Sequence, residues 1–155
     1  MKTVTLVADP YPPYQYEEDE TVKGIDQDII SAAFEERRIQ TKTRLFPWEV
    51  CLKQMEEGAT DGIFQITRTP EREKLFLFSD SIRTAKALFF KRATNPVLLS
   101  RDKDIATQLK GYQLGVLAGY SYDPVIDQLS ESGKTKIESQ EALLEALSAG
   151  KFDLA

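Results

Sequence analysis

Short apolar stretches with strand character alternate along the chain with segments whose apolar residues recur at helical spacing, and this alternation predicts the elements in order. Residues 3–8 (TVTLVA), rich in β-branched and apolar types, predict a strand that stops at Asp9 and the turn-forming PYPPY. A polar bend, EEDETVKG, closes at Gly24, and residues 25–38 then place Ile25, Ile29, Ile30, Ala33 and Phe34 on one helical face. Residues 41–46 predict a second strand. Pro47 and Trp48 open a second helix with Trp48, Cys51, Leu52 and Met55 on its apolar face, and Gly58 ends it before a strand that starts at Asp61. This β-α-β-α-β order points to an α/β fold with a parallel sheet and crossover helices.

The segment 61–80, DGIFQITRTPEREKLFLFSD, predicts a strand, a polar loop, a capped helix and a strand again. Thr69 is a good N-cap, Pro70 suits the first helical position, and Glu71 lies where the helix dipole favours a carboxylate. Arg72 follows at once. A guanidinium held near the carboxyl end of a buried strand, beside loop hydroxyls and amides, suits a small carboxylate. The alternative is a surface helix on which Arg72 pairs with a neighbouring glutamate.

Residues 85–91 predict a further strand, and ATNPVLLS then breaks the pattern as a connector between lobes. The expected division is residues 1–91 for a first lobe and 92–155 for the opening part of a second. Beyond it, helices are expected over 102–109, 121–129 and 140–149, and strands over 112–117 and 135–138. The motifs MEEGATDGIF (55–64) and LSAGKFDLA (147–155) echo one another as helix end, Gly, Asp, strand, which supports two similar lobes. The final KFDLA reads as the start of a buried strand, so a chain continuing beyond Ala155 is expected.

Composition narrows the chemistry. With 41% apolar and 29% charged residues, and apolar runs no longer than LFLF or ALFF, no membrane span is predicted. A net charge of −5 without a long basic cluster argues against nucleic acid or anionic lipid as a partner and favours a small ligand. The absence of histidine excludes His-dependent triads, His general bases and most transition-metal sites, so neither metal nor cofactor is expected. Cys51, the sole cysteine, reads as a buried structural thiol. Lys2 leads straight into an alternating segment rather than a long apolar one, so either the protein is cytoplasmic or a leader peptide has been removed.

In order, DPYPPYQY (9–16), KGIDQDIISAAF (23–34), FPWEVCLKQMEEGATDGIF (46–64), TRTPEREKLFLFS (67–79), LKGYQLGVLAGYSY (109–122) and LLEALSAGKFDLA (143–155) resemble the family 3 solute-binding proteins, the periplasmic receptors of polar amino-acid ABC transporters. The resemblance covers the whole chain. It implies the two-lobed type II periplasmic binding architecture, here lobe 1 plus an incomplete lobe 2, with ligand in the cleft between lobes. It also implies a monomer that binds without catalysis, a periplasmic location after leader removal, and delivery to a membrane permease of an ABC transporter.

In the family pattern, Arg72 binds the α-carboxylate of an amino acid or related carboxylate, with a hydroxyl and an amide at Thr67 beside it. Tyr11 forms a wall of the pocket with Tyr14 nearby, Trp48 lines it, and Asp9 meets an ammonium. Gly119, Tyr120 and Ser121 match the lobe 2 donors, although a capping role explains Ser121 equally well. Three departures are visible. The segment 61–72 is shorter than the usual pattern, Gln65 stands where a small residue is typical, and Tyr120 replaces a small hydroxyl residue. Two alternative functions share the architecture: the ligand-sensing domain of a membrane signalling protein, and a dehydratase-like enzyme. The enzyme would need a placed acid, and the sequence singles out none.

Overall fold

The structure, a computed structural model, describes residues 2–155. They divide after Thr84 into two compact units. In unit 1, β1 (Lys2–Ala8) leads into a hairpin of β2 (Tyr16–Glu18) and β3 (Thr21–Lys23), followed by α1 (Ile25–Glu35), β4 (Ile39–Leu45), α2 (Trp48–Glu56) and β5 (Gly62–Ile63). The sheet order is β4-β1-β5. Both pairings are parallel, and β1 matches β4 from Lys2↔Ile39 to Ala8↔Leu45. This is the predicted parallel sheet. Its core is Leu6, Ala8, Ile30 and Phe64, with Val4, Phe34 and Leu45 packed on them. Full burial of such a large apolar side chain stabilises the fold by roughly 1.5–3 kcal/mol.

The structure corrects five local expectations in unit 1. The polar bend is a hairpin whose turn residues Asp19 and Glu20 have φ of 52° and 60°. Its strands are too short to show a period, and the turn lacks the Asn-Gly or Asp-Gly signal. The first helix ends at Glu35, because the chain leaves helical geometry by Arg38 at φ 56°. Its inward face is also rotated: Asp26 and Ile30 are buried, while Ile25 and Ile29 are 50% and 42% exposed. Hydrogen-bonded polar groups cause this. Arg83 pairs with Asp26, and Gln27 reaches Ser31, which in turn meets Thr41 of β4. Finally, the helix at Arg72 is a single 3-10 turn, Arg72–Lys74, and LFLF forms no strand, with Leu75 and Leu77 exposed.

Unit 2 contains α3 (Ile105–Leu109), β6 (Leu114–Leu117), α4 (Pro124–Asp127), β7 (Lys134–Ile137) and α5 (Gln140–Ser148). β6 pairs in parallel with β7, and Leu114 forms a parallel bridge to Leu154 on the other side. Val97, Leu109, Leu114, Val116, Ile126 and Leu154 form one core cluster, and Ala146, Leu147 and Phe152 another. The division between units falls earlier than Lys91. Residues 85–91 are not a strand of the first unit; Phe90 exchanges two backbone hydrogen bonds with Ala155, at 2.8 and 3.0 Å. Nor is ATNPVLLS a loose connector. Val97 is buried, and the Asn95 side chain accepts from the Val97 amide at 2.9 Å.

Candidate functional site

Parallel strands present their carboxyl ends at one edge, and ligands of open α/β sheets bind outside that edge. In unit 1 the residues following β1, β4 and β5 carry the polar chemistry. After β1 comes Asp9, which is buried, and then a loop closed on itself. The Tyr11 amide donates to the Gln15 carbonyl at 2.7 Å, and the Tyr14 amide donates to the Tyr11 carbonyl at 2.8 Å. Gln15 is fully buried, and its Nε2 donates to the Asp9 carbonyl at 2.9 Å and to Gln65 Oε1. Gly24 clamps the loop from the far side. Its φ is +127°, and an added Cβ would lie 2.3 Å from the Tyr14 carbonyl oxygen. In this frame Tyr11 and Tyr14 stack, with ring centroids 5.6 Å apart.

After β4, the Phe46 amide donates to the Ala8 carbonyl at 3.0 Å, and Trp48 begins α2 as a buried residue. Cys51, one turn on, is buried and donates its thiol to the Phe46 carbonyl at 3.5 Å. Desolvation, with a smaller effect from the negative charge of Asp9, pushes this thiol up to about 11. Cys51 is therefore a structural thiol, inert as a nucleophile at neutral pH.

After β5, Gln65 takes a left-handed φ of 60°, and the chain runs out to Thr67. The Thr69 hydroxyl accepts from the Arg72 amide at 3.3 Å, and the Thr69 carbonyl accepts from the Glu73 amide at 2.9 Å. Thr69 thus starts the turn, as its sequence suggests. The Arg72 side chain folds back: Nη1 donates to the Thr67 carbonyl at 3.0 Å, and the guanidinium stands 5.7 Å over the Trp48 ring. The neighbouring Glu73 is taken by Arg68, at 2.5 Å.

Among the predicted site residues, Arg72, Thr67 and Trp48 thus form one group, in which Thr67 contributes its carbonyl. Asp9 and Gln65 are joined through Gln15, and Tyr11 and Tyr14 belong to the same loop as Gln15. Sequence reasoning missed Gln15 and Arg83. Gln15 lies in a loop where no periodicity marks burial. Arg83 has a signal in retrospect, an aspartate, Asp26, on the first turn of a helix that is otherwise apolar on that face.

In unit 2, Gly119 (φ 72°), Tyr120 and Ser121 follow the carboxyl end of β6. Asp123 caps α4 by accepting from the Val125 amide at 2.9 Å. Ser121 is not the cap. Its hydroxyl donates to Asp127 Oδ2 at 2.6 Å, and the Tyr122 amide donates to the other oxygen at 3.1 Å. Among the described residues, no cluster of histidine, cysteine, aspartate and glutamate is able to hold a metal ion.

Residues 4–112 match the family model of bacterial extracellular solute-binding proteins, family 3. The chain belongs to this family. Solved structures similar to it include an ancestral arginine-binding protein bound to arginine, at 19% identity and a TM-score of 0.80, covering 99% of this chain and 69% of that one. An arginine transport-system periplasmic binding protein from Legionella pneumophila matches at 18% identity and a TM-score of 0.74, over 99% of this chain and 67% of that one. A histidine kinase sensor domain with similarity to periplasmic binding proteins matches at 20% identity and a TM-score of 0.77, over 99% and 66%. Comparison with curated proteins gives no match. At these identities the likenesses show the fold, the α/β architecture of type II periplasmic binding proteins. Among the described residues no helix is long and apolar enough to cross a membrane.

Proposed function

We propose that this family 3 protein binds a small carboxylate, an amino acid foremost, and delivers it from the periplasm to an ABC permease without chemical change. The observation that supports this reading most is Arg72. Its guanidinium lies over the Trp48 ring and against the Thr67 carbonyl, at the edge where the carboxyl ends of β1, β4 and β5 meet. A planar fork with donors in fixed directions matches a carboxylate in a way that an ammonium does not. Tyr11 is the proposed apolar wall, and Asp9 and Gln65 the acceptors for the ligand ammonium. Arginine and glutamine are the first ligands to try, since solved relatives of this fold hold them. Thermal-shift screening of the full-length protein against amino acids and small carboxylates tests the reading, because a ligand stabilises the state that binds it. A panel that leaves the transition unmoved at millimolar ligand contradicts it.

A second reading, the sensor domain of a membrane signalling protein, is favoured by the histidine kinase relative. The ligand chemistry is the same in both. A membrane span and signalling domain encoded in the same reading frame would decide for the sensor.

A further inference from the structure

The loop after β1 is braced from a side that the binding reading does not use. Arg83, the penultimate residue of unit 1, holds its guanidinium 4.0 Å over the Tyr14 ring. Its Nε donates to both oxygens of Asp26, at 3.0 and 2.9 Å. The Asp26 side chain is fully buried and that of Arg83 is 23% exposed. Tyr14 in turn stacks on Tyr11 with an interplanar angle of 13°. The result is a column of carboxylate, guanidinium, Tyr14 and Tyr11. It joins the first turn of α1 to the β1 loop and to the chain's exit from unit 1.

The chemistry of the column is specific. A guanidinium is planar and weakly hydrated, so one face stacks on an aromatic ring while its edge holds a carboxylate. Asp26 is fixed in turn, because its own amide donates to the Tyr14 carbonyl at 2.9 Å. Backbone and side chain of Tyr14 are therefore held by the same two residues. An aromatic pair on a surface loop ordinarily has rotamer freedom that must be lost when a ligand packs against it, and a wall set in advance avoids that loss.

We propose that Arg83 is a positioning residue for the amino-acid site. Oriented by Asp26, it sets the Tyr14–Tyr11 wall without touching the ligand. This rests on the reading of Tyr11 as a wall of that site. The brace also ties the wall to the point where the chain leaves unit 1.

Removing Arg83 alone would leave a buried carboxylate unpaired, so two gentler variants of the full-length protein serve as the test. Arg83→Lys keeps the charge but loses the plane, and Arg83→Gln combined with Asp26→Asn keeps a neutral hydrogen-bonded pair. Hydrogen exchange is followed in peptides covering residues 10–16, and affinity is measured with L-arginine and L-glutamine as probes. In both variants the amides of Tyr11, Tyr14 and Gln15 are expected to exchange about tenfold faster while β1 and β4 keep their protection. The Kd of whichever probe binds should rise by about tenfold. Exchange over 10–16 within about twofold of wild type overturns the proposal, and so does acceleration that spreads to β1 and β4, which would make Arg83 a support of the unit as a whole. The exchange measurement needs no ligand and decides on Arg83 by itself. Failure of wild type to bind either probe counts instead against those ligands for the site.

Discussion

Unit 1 and unit 2 are built to one plan and differ in what they hang on it. In unit 1 the first strand is central, with β4 on one side and β5 on the other. In unit 2 β6 is central, with β7 on one side and the Leu154 bridge on the other. The segment that joins the central strand last, β5 in unit 1 and the Leu154 bridge in unit 2, is entered in the same way in both. Gly58 and Gly150, with φ of +69° and +78°, follow α2 and α5, and an aspartate then reaches across to the central strand. Asp61 Oδ2 accepts from the Thr5 amide at 2.7 Å, and the Asp61 amide donates to the Thr5 carbonyl at 3.0 Å. Asp153 Oδ2 accepts from the Gln113 amide at 2.9 Å, and the Asp153 amide donates to the Gln113 carbonyl at 2.9 Å. The echo between GATD and GKFD is therefore a clasp from the incoming segment onto Thr5 or Gln113, at the central strand of each unit. It belongs to the scaffold. The carboxyl edges differ, since unit 1 holds buried Asp9 and Gln15 and sets the Arg72 guanidinium over the Trp48 ring, and unit 2 has Gly119 and Tyr120 followed by Ser121, which donates to Asp127.

Breaking the buried pair of unit 1 should have the largest effect on stability. Arg83→Ala leaves Asp26 charged and fully buried, a loss of about 3–5 kcal/mol. In unit 2 both Lys134 and Lys136 pair with the exposed Glu131, and no comparable loss is expected there from Glu131→Gln. Urea unfolding of the two variants checks the contrast, and similar midpoints would remove it.

Two glycines, one in each unit, differ on a smaller scale. Gly24→Ala places a Cβ against the rigid backbone of Tyr14 in a conformation unfavourable to L side chains, and should cost about 2 kcal/mol or more. Gly115→Ala, in unit 2, meets the Phe152 ring at 2.4 Å, and a side chain yields more readily, so about 1–2 kcal/mol is expected. Thermal unfolding ranks the two, and Gly115→Ala proving the more damaging would contradict the geometry.

The clasp predicts a pH signature. Hydrogen bonds from the Thr5 amide, and then from its hydroxyl, hold the Asp61 carboxyl below its ordinary value of 3.8. Its contribution is complete above that value and is lost as pH falls through the depressed one. Asp61→Asn keeps an acceptor but not the charge. It should lower the urea midpoint at pH 7, and the difference from wild type should shrink progressively below about pH 4. A difference independent of pH would show that the charge is immaterial.

The effect expected at Cys51 is kinetic. With its thiol pushed up to about 11 and its side chain buried, Cys51 should react with a thiol reagent at pH 8 at least about a hundredfold more slowly in the folded protein than in urea. Equal rates would mean that α2 opens freely.

Much of the scaffold was legible because periodicity and punctuation report it directly. Residues 3–8, 41–46, Pro47 with Trp48, and Gly58 gave unit 1 its parallel order, and Thr69 marked the turn before Arg72. The rotation of α1 was not legible. It follows from Asp26 meeting Arg83, a contact across 57 positions that no local pattern encodes. The hairpin was hidden by turn residues that adopt positive φ without being glycine. LFLF has the hydrophobicity of a strand, but among the described residues no neighbouring strand pairs with it. Of the candidate site, the residue types following each strand were readable, whereas Gln15 was not, because its burial depends on Asp9 and Gln65 closing around it.

The proposed role of Arg72 is to receive the ligand carboxylate at the carboxyl edge of unit 1. It is tested most directly by titration calorimetry of full-length wild type and Arg72→Ala with the tightest-binding amino acid of the screened panel, with circular dichroism as a check of the fold. Loss of a buried, hydrogen-bonded charge partner costs on the order of 2–5 kcal/mol, so the variant should bind at least about 30-fold more weakly. Arg72→Lys should recover only part of the loss, since lysine lacks the planar fork. A folded Arg72→Ala variant that binds within about threefold of wild type would contradict the claim.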